Sequence, residues 1–371
     1  MMPLRLSFFL LACLICPTLA SADGKIVIGQ SVELSGQATG KENREGAQLY
    51  FDALNRQGGI HGKSIEFISY DDKRDPALTK ENTLKLINED HAIALFGYRS
   101  TPTIEAILPL LEKHAIPLIA PFSGAQSLHQ PLHAQVFNLR ASYQDEAARM
   151  VASLAELKLS KLAILHQDDS FGKDGLNGFV SNLEKRSMRA AVIAKYDRKE
   201  MKVDAAVASI AAASPQAVLM ACTPAACADF IRQMQKLGQR PQFLMLSNVN
   251  SDDFFKSLGA EGRGIGVMQV MPYPRDIGIP VVRELQKVLK SVKNPPPLSY
   301  AVLEGYVAAK LMAEALRRAG NNPDSKKLLQ ALESMRNVDL GGVEVSYGPK
   351  DHDGSHFVEL TIVGKNGIIL R

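Results

Sequence analysis

From Lys25 onward the chain alternates short β-rich runs with stretches whose apolar residues recur at helical spacing. KIVIG is followed by a helix pattern over about 41–56, in which Ala47, Tyr50 and Leu54 fall on one face. SIEFISY leads through Asp71 and Asp72 to a second helix, with Asp75 as its cap and Pro76 at its first position. AIALFG, 92–97, precedes a helix expected to be capped by Thr101 and to end near Lys113, and PLIAP closes this series at Pro121. A second series follows Arg140: a helix over 145–157, LAILH, a helix after Phe171, a strand over 191–196, a further helix, QAVLMA, a helix over 225–237 and FLMLS. The remainder predicts helices over 299–319 and 325–335 and two short terminal strands, FVELTIVG and IIL. Strands alternating with helices imply parallel sheets covered on both faces, and here there are two such series.

Composition places the chain among ordinary globular proteins: 371 residues, 46% hydrophobic and 22% charged, enough for two domains. Residues 1–22 differ from the rest. Arg5 is their only charge, LSFFLLACLI follows, Pro17 breaks the run, and Ala20-Ser21-Ala22 fits a small-residue cleavage site, so this segment reads as a secretory signal peptide. The apolar run is short for a membrane span of about 20 residues. The alternative is a lipid-attachment box, Leu10-Leu11-Ala12-Cys13, with Cys13 acylated. The net charge of +4 falls by one with the leader, too little to imply nucleic acid, and no basic stripe carries interleaved aromatics. Of the four cysteines, Cys222 and Cys227 remain in the mature chain, either as buried small residues or as one local disulfide.

GGIHGKS, 58–64, has the letters of a phosphate-binding loop and neither its spacing nor its context. The motif requires four residues between its first Gly and Gly-Lys, and it must lead from a strand into a helix. This segment follows a helix and precedes a strand, where Gly58 and Gly59 serve as a left-handed helix end and Gly62 as a turn. Asp71-Asp72 and Asp168-Asp169 are adjacent pairs that point apart in a strand and suit loop capping. KDHDGSH, 350–356, offers metal-ligating residue types, but its Gly falls at the wrong position for a calcium loop, which leaves a polar turn. No nucleophile elbow, zinc-protease motif or cysteine-nucleophile signature is found, so neither catalytic residue, metal nor cofactor is assigned.

Chemistry concentrates instead at strand-to-helix junctions. In open parallel sheets ligands collect beyond the carboxyl ends of the strands, and a helix start presents N–H groups to an anion. GYRSTPT, 97–103, brings Arg99, Ser100 and Thr101 to such a junction, though capping alone would explain Thr101. APFSGA, 120–125, adds the Ser123 hydroxyl and close backbone approach at Gly124. HQDDSFGKDG, 166–175, offers Phe171 as an apolar wall or as a core residue.

Taken in order, KIVIGQSVELSGQATG, LNRQGGIHGKSIEFISYDDKRDP, FGYRST, IPLIAPFSG, LHQDDSFGKDGLNGF, FIRQMQKLG and SYGPKDHDGSH resemble the leucine/isoleucine/valine-binding family of periplasmic solute-binding proteins. The resemblance covers nearly the whole mature chain, and Asn-x-x-Gly-Gly-Ile-x-Gly before a strand and Tyr-Asp-Asp is its most specific part. It implies a type I periplasmic-binding-protein fold: two doubly wound α/β lobes with parallel sheets, joined by a three-crossover hinge, with the ligand clamped between them. Lobe 1 is expected over 23–141 plus 272–345 and lobe 2 over 142–271 plus 346–371.

The resemblance also implies a site. The carboxylate of an amino acid would meet Ser100 and Thr101, flanked by Tyr98 and Arg99, together with Phe122, Ser123 and Gly124. The aromatic wall of the second lobe falls on Phe171, which lacks the relatives' hydroxyl, and a second aromatic near Thr223 is missing. Ser247 and Asn248 stand where amino-acid binders place a carboxylate for the ligand's ammonium. An ammonium buried without a counter-charge is costly, so either another acid reaches in or the ligand is not a plain α-amino acid; Arg99 could instead mark extra negative charge. The relatives' first-lobe disulfide positions hold Arg74 and Ser100. The implied function is a non-catalytic periplasmic protein delivering an amino-acid-like or carboxylate ligand to an ABC permease in the inner membrane. The alternative is a sensing subunit that presents its ligand to a membrane receptor.

Overall fold

The structure, a computed structural model, describes residues 24–36, 38–365 and 369–370. The leader and Cys13 lie outside the described residues.

Two sheets form the frame. The first is built from β1 (Lys25–Val32), β2 (Ser64–Asp71), β3 (Ala94–Phe96), β4 (Leu118–Ile119) and β5 (Val136–Phe137), all parallel, in the order β2-β1-β3-β4-β5. Between these strands run α1 (Ala38–Arg56), α2 (Pro76–Asn88) and α3 (Thr101–His114). The chain then crosses at 138–142 into the second lobe through α4 (Tyr143–Glu156), β6 (Leu162–Gln167), α5 (Ser170–Glu184), β7 (Ala190–Tyr196) and α6 (Asp204–Ala213). β8 (Ala217–Ala221), α7 (Pro224–Lys236), β9 (Gln242–Met245), α8 (Asp252–Leu258) and β10 (Gly266–Gln269) complete the parallel part of that sheet. A second crossing returns the chain to the first lobe for α9 (Pro280–Lys290), α10 (Tyr300–Ala319), α11 (Ser325–Glu333) and the small antiparallel ribbon β11 (Val338–Asp339) and β12 (Glu344–Val345). A third crossing adds the antiparallel strands β13 (Glu359–Val363) and β14 (Ile369–Leu370) to the edge of the second sheet, whose order is β14-β13-β10-β9-β8-β6-β7.

The parallel parts of both sheets therefore share one order, with the second strand outside the first. The crevices open where neighbouring strands send their connections to opposite faces, beyond β1 and β3 in one lobe and β6 and β8 in the other.

Continuous apolar runs in the central strands match their burial on both faces: every residue of β3, β6 and β8 is buried. One core lies between the first sheet and α1, α9, α10 and α11. Another runs unbroken from α2 and α3 of the first lobe to α4 and α5 of the second, so the lobes are held together in a closed arrangement. A third fills the far face of the second sheet, under α6, α7 and α8.

Several expectations are corrected. α3 begins at Thr101, and Ser100, not Thr101, occupies the capping position, without a side-chain capping bond. Residues 346–354, expected with lobe 2, pack against the first lobe. Tyr347 meets Phe137 edge to face and donates to the Asn138 carbonyl at 2.9 Å, and Asp353 contacts His129 at 2.6 Å. α8, α9 and β10 form where the sequence pattern predicts no element. GGIHGKS is a helix-to-strand turn with positive φ at Gly58, Gly59 and Gly62, and Lys63 reaches Asn322, not a ligand edge. Cys222 and Cys227 are disulfide-bonded at the start of α7. Among the described residues no helix is long and apolar enough to cross a membrane.

Candidate functional site between the lobes

A cavity of about 30 Å³ lies where the carboxyl ends of the two sheets face each other, lined by Arg74, Arg99, Ser100, Thr101, Phe122, Tyr143, Gln167, Phe171, Thr223 and Asn248. Each lining residue sits just past a strand or at the head of a helix. Arg74 follows β2, Arg99 to Thr101 lead from β3 into α3, Phe122 follows β4, and Tyr143 opens α4. From the second lobe, besides Tyr143, come Gln167 at the end of β6, Phe171 in the first turn of α5, Thr223 before α7 and Asn248 after β9.

The first-lobe wall is laced by backbone. Arg99 bridges Phe122 in parallel, and the Phe122 amide donates to the Tyr98 carbonyl at 2.7 Å. This extended pairing stretches the approach to α3 and leaves Ser100 at φ 81, a region costly for a residue with a Cβ. The Thr103 hydroxyl locks that turn by bonding the Ser100 carbonyl at 2.8 Å. Thr101 does not cap the helix; its hydroxyl meets that of Ser123 at 2.8 Å.

Alternation along 97–101 separates the expected residues. Arg99 faces the cleft, whereas Tyr98 is fully buried on the far side, where its hydroxyl pairs with that of Thr83 at 3.0 Å. Ser123 lies behind Thr101. Gly124 owes its lack of a side chain to the crossover: a Cβ there would sit 2.8 Å from the Ala141 carbonyl and 2.9 Å from the Tyr143 amide. Ser247 also stands outside the lining.

Sequence reasoning missed Arg74, Tyr143 and Gln167. The Tyr143 ring meets Phe171 edge to face at 5.4 Å, and the buried Arg140 guanidinium lies 4.6 Å from the Phe122 ring centre and 5.8 Å from that of Tyr143. A buried cation thus backs two of the aromatic rings that line the cavity. In the second lobe, Gln167 donates to Asp169 at 2.5 Å and accepts from Tyr196 at 3.1 Å, and the Asn248 amide donates to the Cys222 carbonyl at 2.9 Å.

Contacts between the lobes ring the cleft. Arg99 pairs with Glu33 at 3.2 Å and donates to the Asn248 carbonyl of the opposite lobe at 3.4 Å. Burial pulls the Arg99 guanidinium below its ordinary pKa, with Glu33 opposing that shift. Arg198 of the second lobe donates to the Arg74 carbonyl at 2.6 Å, and the Gln126 amide donates to Asp174 at 3.0 Å.

The acid whose absence the sequence left open is nearby. Glu146 accepts from the amide and the hydroxyl of Ser247, each at 2.7 Å, and stands 3.8 Å from Arg140, which also donates to the Ser247 hydroxyl. Burial raises the Glu146 carboxyl to about 7 against the pull of Arg140. It is a buried strut behind the cleft and not one of its walls.

Comparison with known proteins agrees with this architecture. The periplasmic binding protein family matches residues 25–367. The crystal structure of a substrate-binding periplasmic protein from Ralstonia solanacearum is 33% identical, covers 93% of this chain and 99% of its own, and superposes with a TM-score of 0.88. That of a possible leucine/isoleucine/valine-binding protein from Rhodopirellula baltica is 29% identical over 94% of this chain and 96% of its own, with a TM-score of 0.87. An amino acid binding protein of Pseudomonas aeruginosa is 24% identical over 81% of this chain and 80% of its own.

Proposed function

Because the chain belongs to the periplasmic binding protein family, we propose that it is the solute-binding component of an ABC importer, capturing a small carboxylate or amino-acid-like ligand in the periplasm. The observation that carries this reading is the cleft itself, walled by Arg74, Arg99, Ser100, Thr101 and Phe122 from one side and by Tyr143, Gln167, Phe171, Thr223 and Asn248 from the other. Neither lobe holds a complete site, so a ligand gains its full set of contacts only when both lobes meet around it.

That differential contact is what drives closure. The lobes open and close about the crossovers near 138–142, 270–273 and 346–358, and the ligand shifts the population toward the closed form by its extra affinity for it. Ser100 and Thr101, with the head of α3, receive the carboxylate, while Phe122, Tyr143 and Phe171 enclose the ligand's body. The permease then recognises the closed arrangement of the two outer faces. No bond is made or broken in this cycle.

Isothermal calorimetry against a broad panel of amino and organic acids, paired with small-angle scattering, tests the reading. Binding of one ligand class with a fall in radius of gyration is expected. A silent panel with unchanged scattering would overturn it.

A further inference from the structure

Resting on that reading, we infer that the cleft is built for a carboxylate that carries no ammonium group. The lining contains two guanidinium groups, of Arg74 and Arg99, and no carboxylate. Each acid close to the cleft is already engaged. Glu33 is held by Arg99 at 3.2 Å. Asp72 accepts from the Arg74 amide at 2.9 Å and the Thr79 hydroxyl at 3.2 Å. Asp169 caps α5 and pairs with Arg198 at 3.4 Å. Asp174 accepts the Gln126 amide with one oxygen and leaves the other without a hydrogen-bond partner, and Glu146 is bound to Ser247 behind the wall.

The lining holds unpartnered buried polar atoms of both kinds, and the side-chain oxygen of Asn248 is one of them. Nε of Arg99, a side chain only 7% exposed, is buried without a hydrogen-bond partner, and so is Nε of Arg74. Just outside the lining Arg198 is paired with Asp169, and Arg140 with Glu146 and Glu304, while Arg74 and Arg140 depress the pKa of Arg99 further. An α-ammonium placed here would face guanidinium groups from two elements and no free acid, an arrangement that disfavours it. A ligand with a carboxylate and, at its α-carbon, an oxo, hydroxyl or second acidic group meets donors instead: the guanidinium groups and the Ser100 and Thr101 hydroxyls. The inference therefore extends the site from carboxylates in general to 2-oxo acids, 2-hydroxy acids and dicarboxylates.

Matched pairs that differ only at the α-substituent test it: leucine against 4-methyl-2-oxopentanoate, phenylalanine against phenylpyruvate, aspartate against malate and oxaloacetate. Calorimetry on the purified full mature chain is expected to give the amine-free member at least tenfold tighter binding in whichever pair binds. Arg74→Gln should weaken that member at least tenfold; removing a cation that repels Arg198 and Arg99 leaves the fold intact, as thermal unfolding would verify. Asn248→Asp, which places an acid in the lining, should narrow or reverse the preference within the same pair. If the amino acid binds as tightly as its partner or more so, the inference fails while the solute-binding reading stands. If no member of any pair binds or alters the scattering, the solute-binding reading falls with it.

Discussion

Ser100 carries the largest positive φ among the non-glycine residues described, and it does so at the mouth of the cleft. Such backbone costs about 1–3 kcal/mol and persists where function requires it. Ser100→Gly is accordingly expected to raise the unfolding free energy by about 1 kcal/mol in urea titrations while weakening ligand binding, because the hydroxyl goes as the strain is relieved. A variant that gains stability and keeps its affinity would show that the Ser100 hydroxyl does not touch the ligand. Arg99, Ser100, Thr101 and Phe171 lie at strand-to-helix junctions that local patterns mark out, Phe122, Thr223 and Asn248 are reached through the family resemblance, and all seven line the cavity. Tyr98 and Ser247 sit next to lining residues, and only the actual course of the backbone shows that they turn inward to Thr83 and Glu146. Arg74 and Tyr143 gave no such signal, and Gln167 lies in the marked junction 166–175 without being singled out there. Arg74 stands in an irregular turn, Tyr143 belongs to a crossover whose destination is a tertiary fact, and Gln167 ends a wholly buried strand.

Elements depend on close approach as much as on pattern. α1 and α10 cross backbone to backbone, because Gly46 and Gly305 let them. A Cβ on Gly46 would fall 2.0 Å from the Val302 carbonyl oxygen, and one on Gly305 1.9 Å from that of Asn43. Both obstacles are backbone atoms in the main core of the first lobe and cannot swing aside. Gly305→Ala should therefore cost about 3 kcal/mol or more, at the upper end of overpacking effects, even though alanine is the better helix former. Chemical unfolding followed by circular dichroism measures this; a neutral or stabilised variant would mean the helices can separate freely. The helices of this pair were readable from apolar spacing, but the contact between them was not, since nothing local distinguishes a packing glycine from a flexible one. The strand β10 escaped for a related reason: four consecutive buried residues show no alternation. α9 had a usable signal, with Pro280 at its start and Val281, Val282, Leu285 and Leu289 on one buried face.

At the scale of the whole molecule, Glu42 ties the two lobes together through one carboxylate. It sits on α1, accepts the amide of Asp252 at the start of α8 in the second lobe at 3.2 Å, and accepts the Ser299 hydroxyl at 2.5 Å. Burial raises its pKa from 4.5 to about 7, and the nearby Asp252 carboxylate pushes the same way, while the hydrogen bonds it accepts pull back. Between pH 4.5 and 7 the folded chain therefore holds a proton that the unfolded chain has released. Stability then falls as pH rises, by roughly 1 kcal/mol per pH unit from this group, and levels off above the folded pKa. Glu146, also raised to about 7 by burial, adds a fall over the same range, and Asp72 and Asp174, raised to about 6, add theirs lower in it. Asp353 acts in the opposite sense and in another window. Burial pushes its carboxyl up, but His129 and Asn138 outweigh that and hold it below the ordinary value, so its contribution disappears only in stronger acid. The closed molecule should thus be most stable at about pH 4, below the range in which the raised carboxyls make stability fall and above the one in which Asp353 is lost, and weaken toward neutrality. Glu42→Gln keeps an oxygen for the Asp252 amide but cannot ionise, so it should remove about one proton's worth of that slope and gain on the wild type by a few kcal/mol between pH 5 and 8. Urea unfolding at those two pH values decides the point. Parallel profiles for the two proteins would show that Glu42 does not titrate across this range and that the fall in stability arises elsewhere.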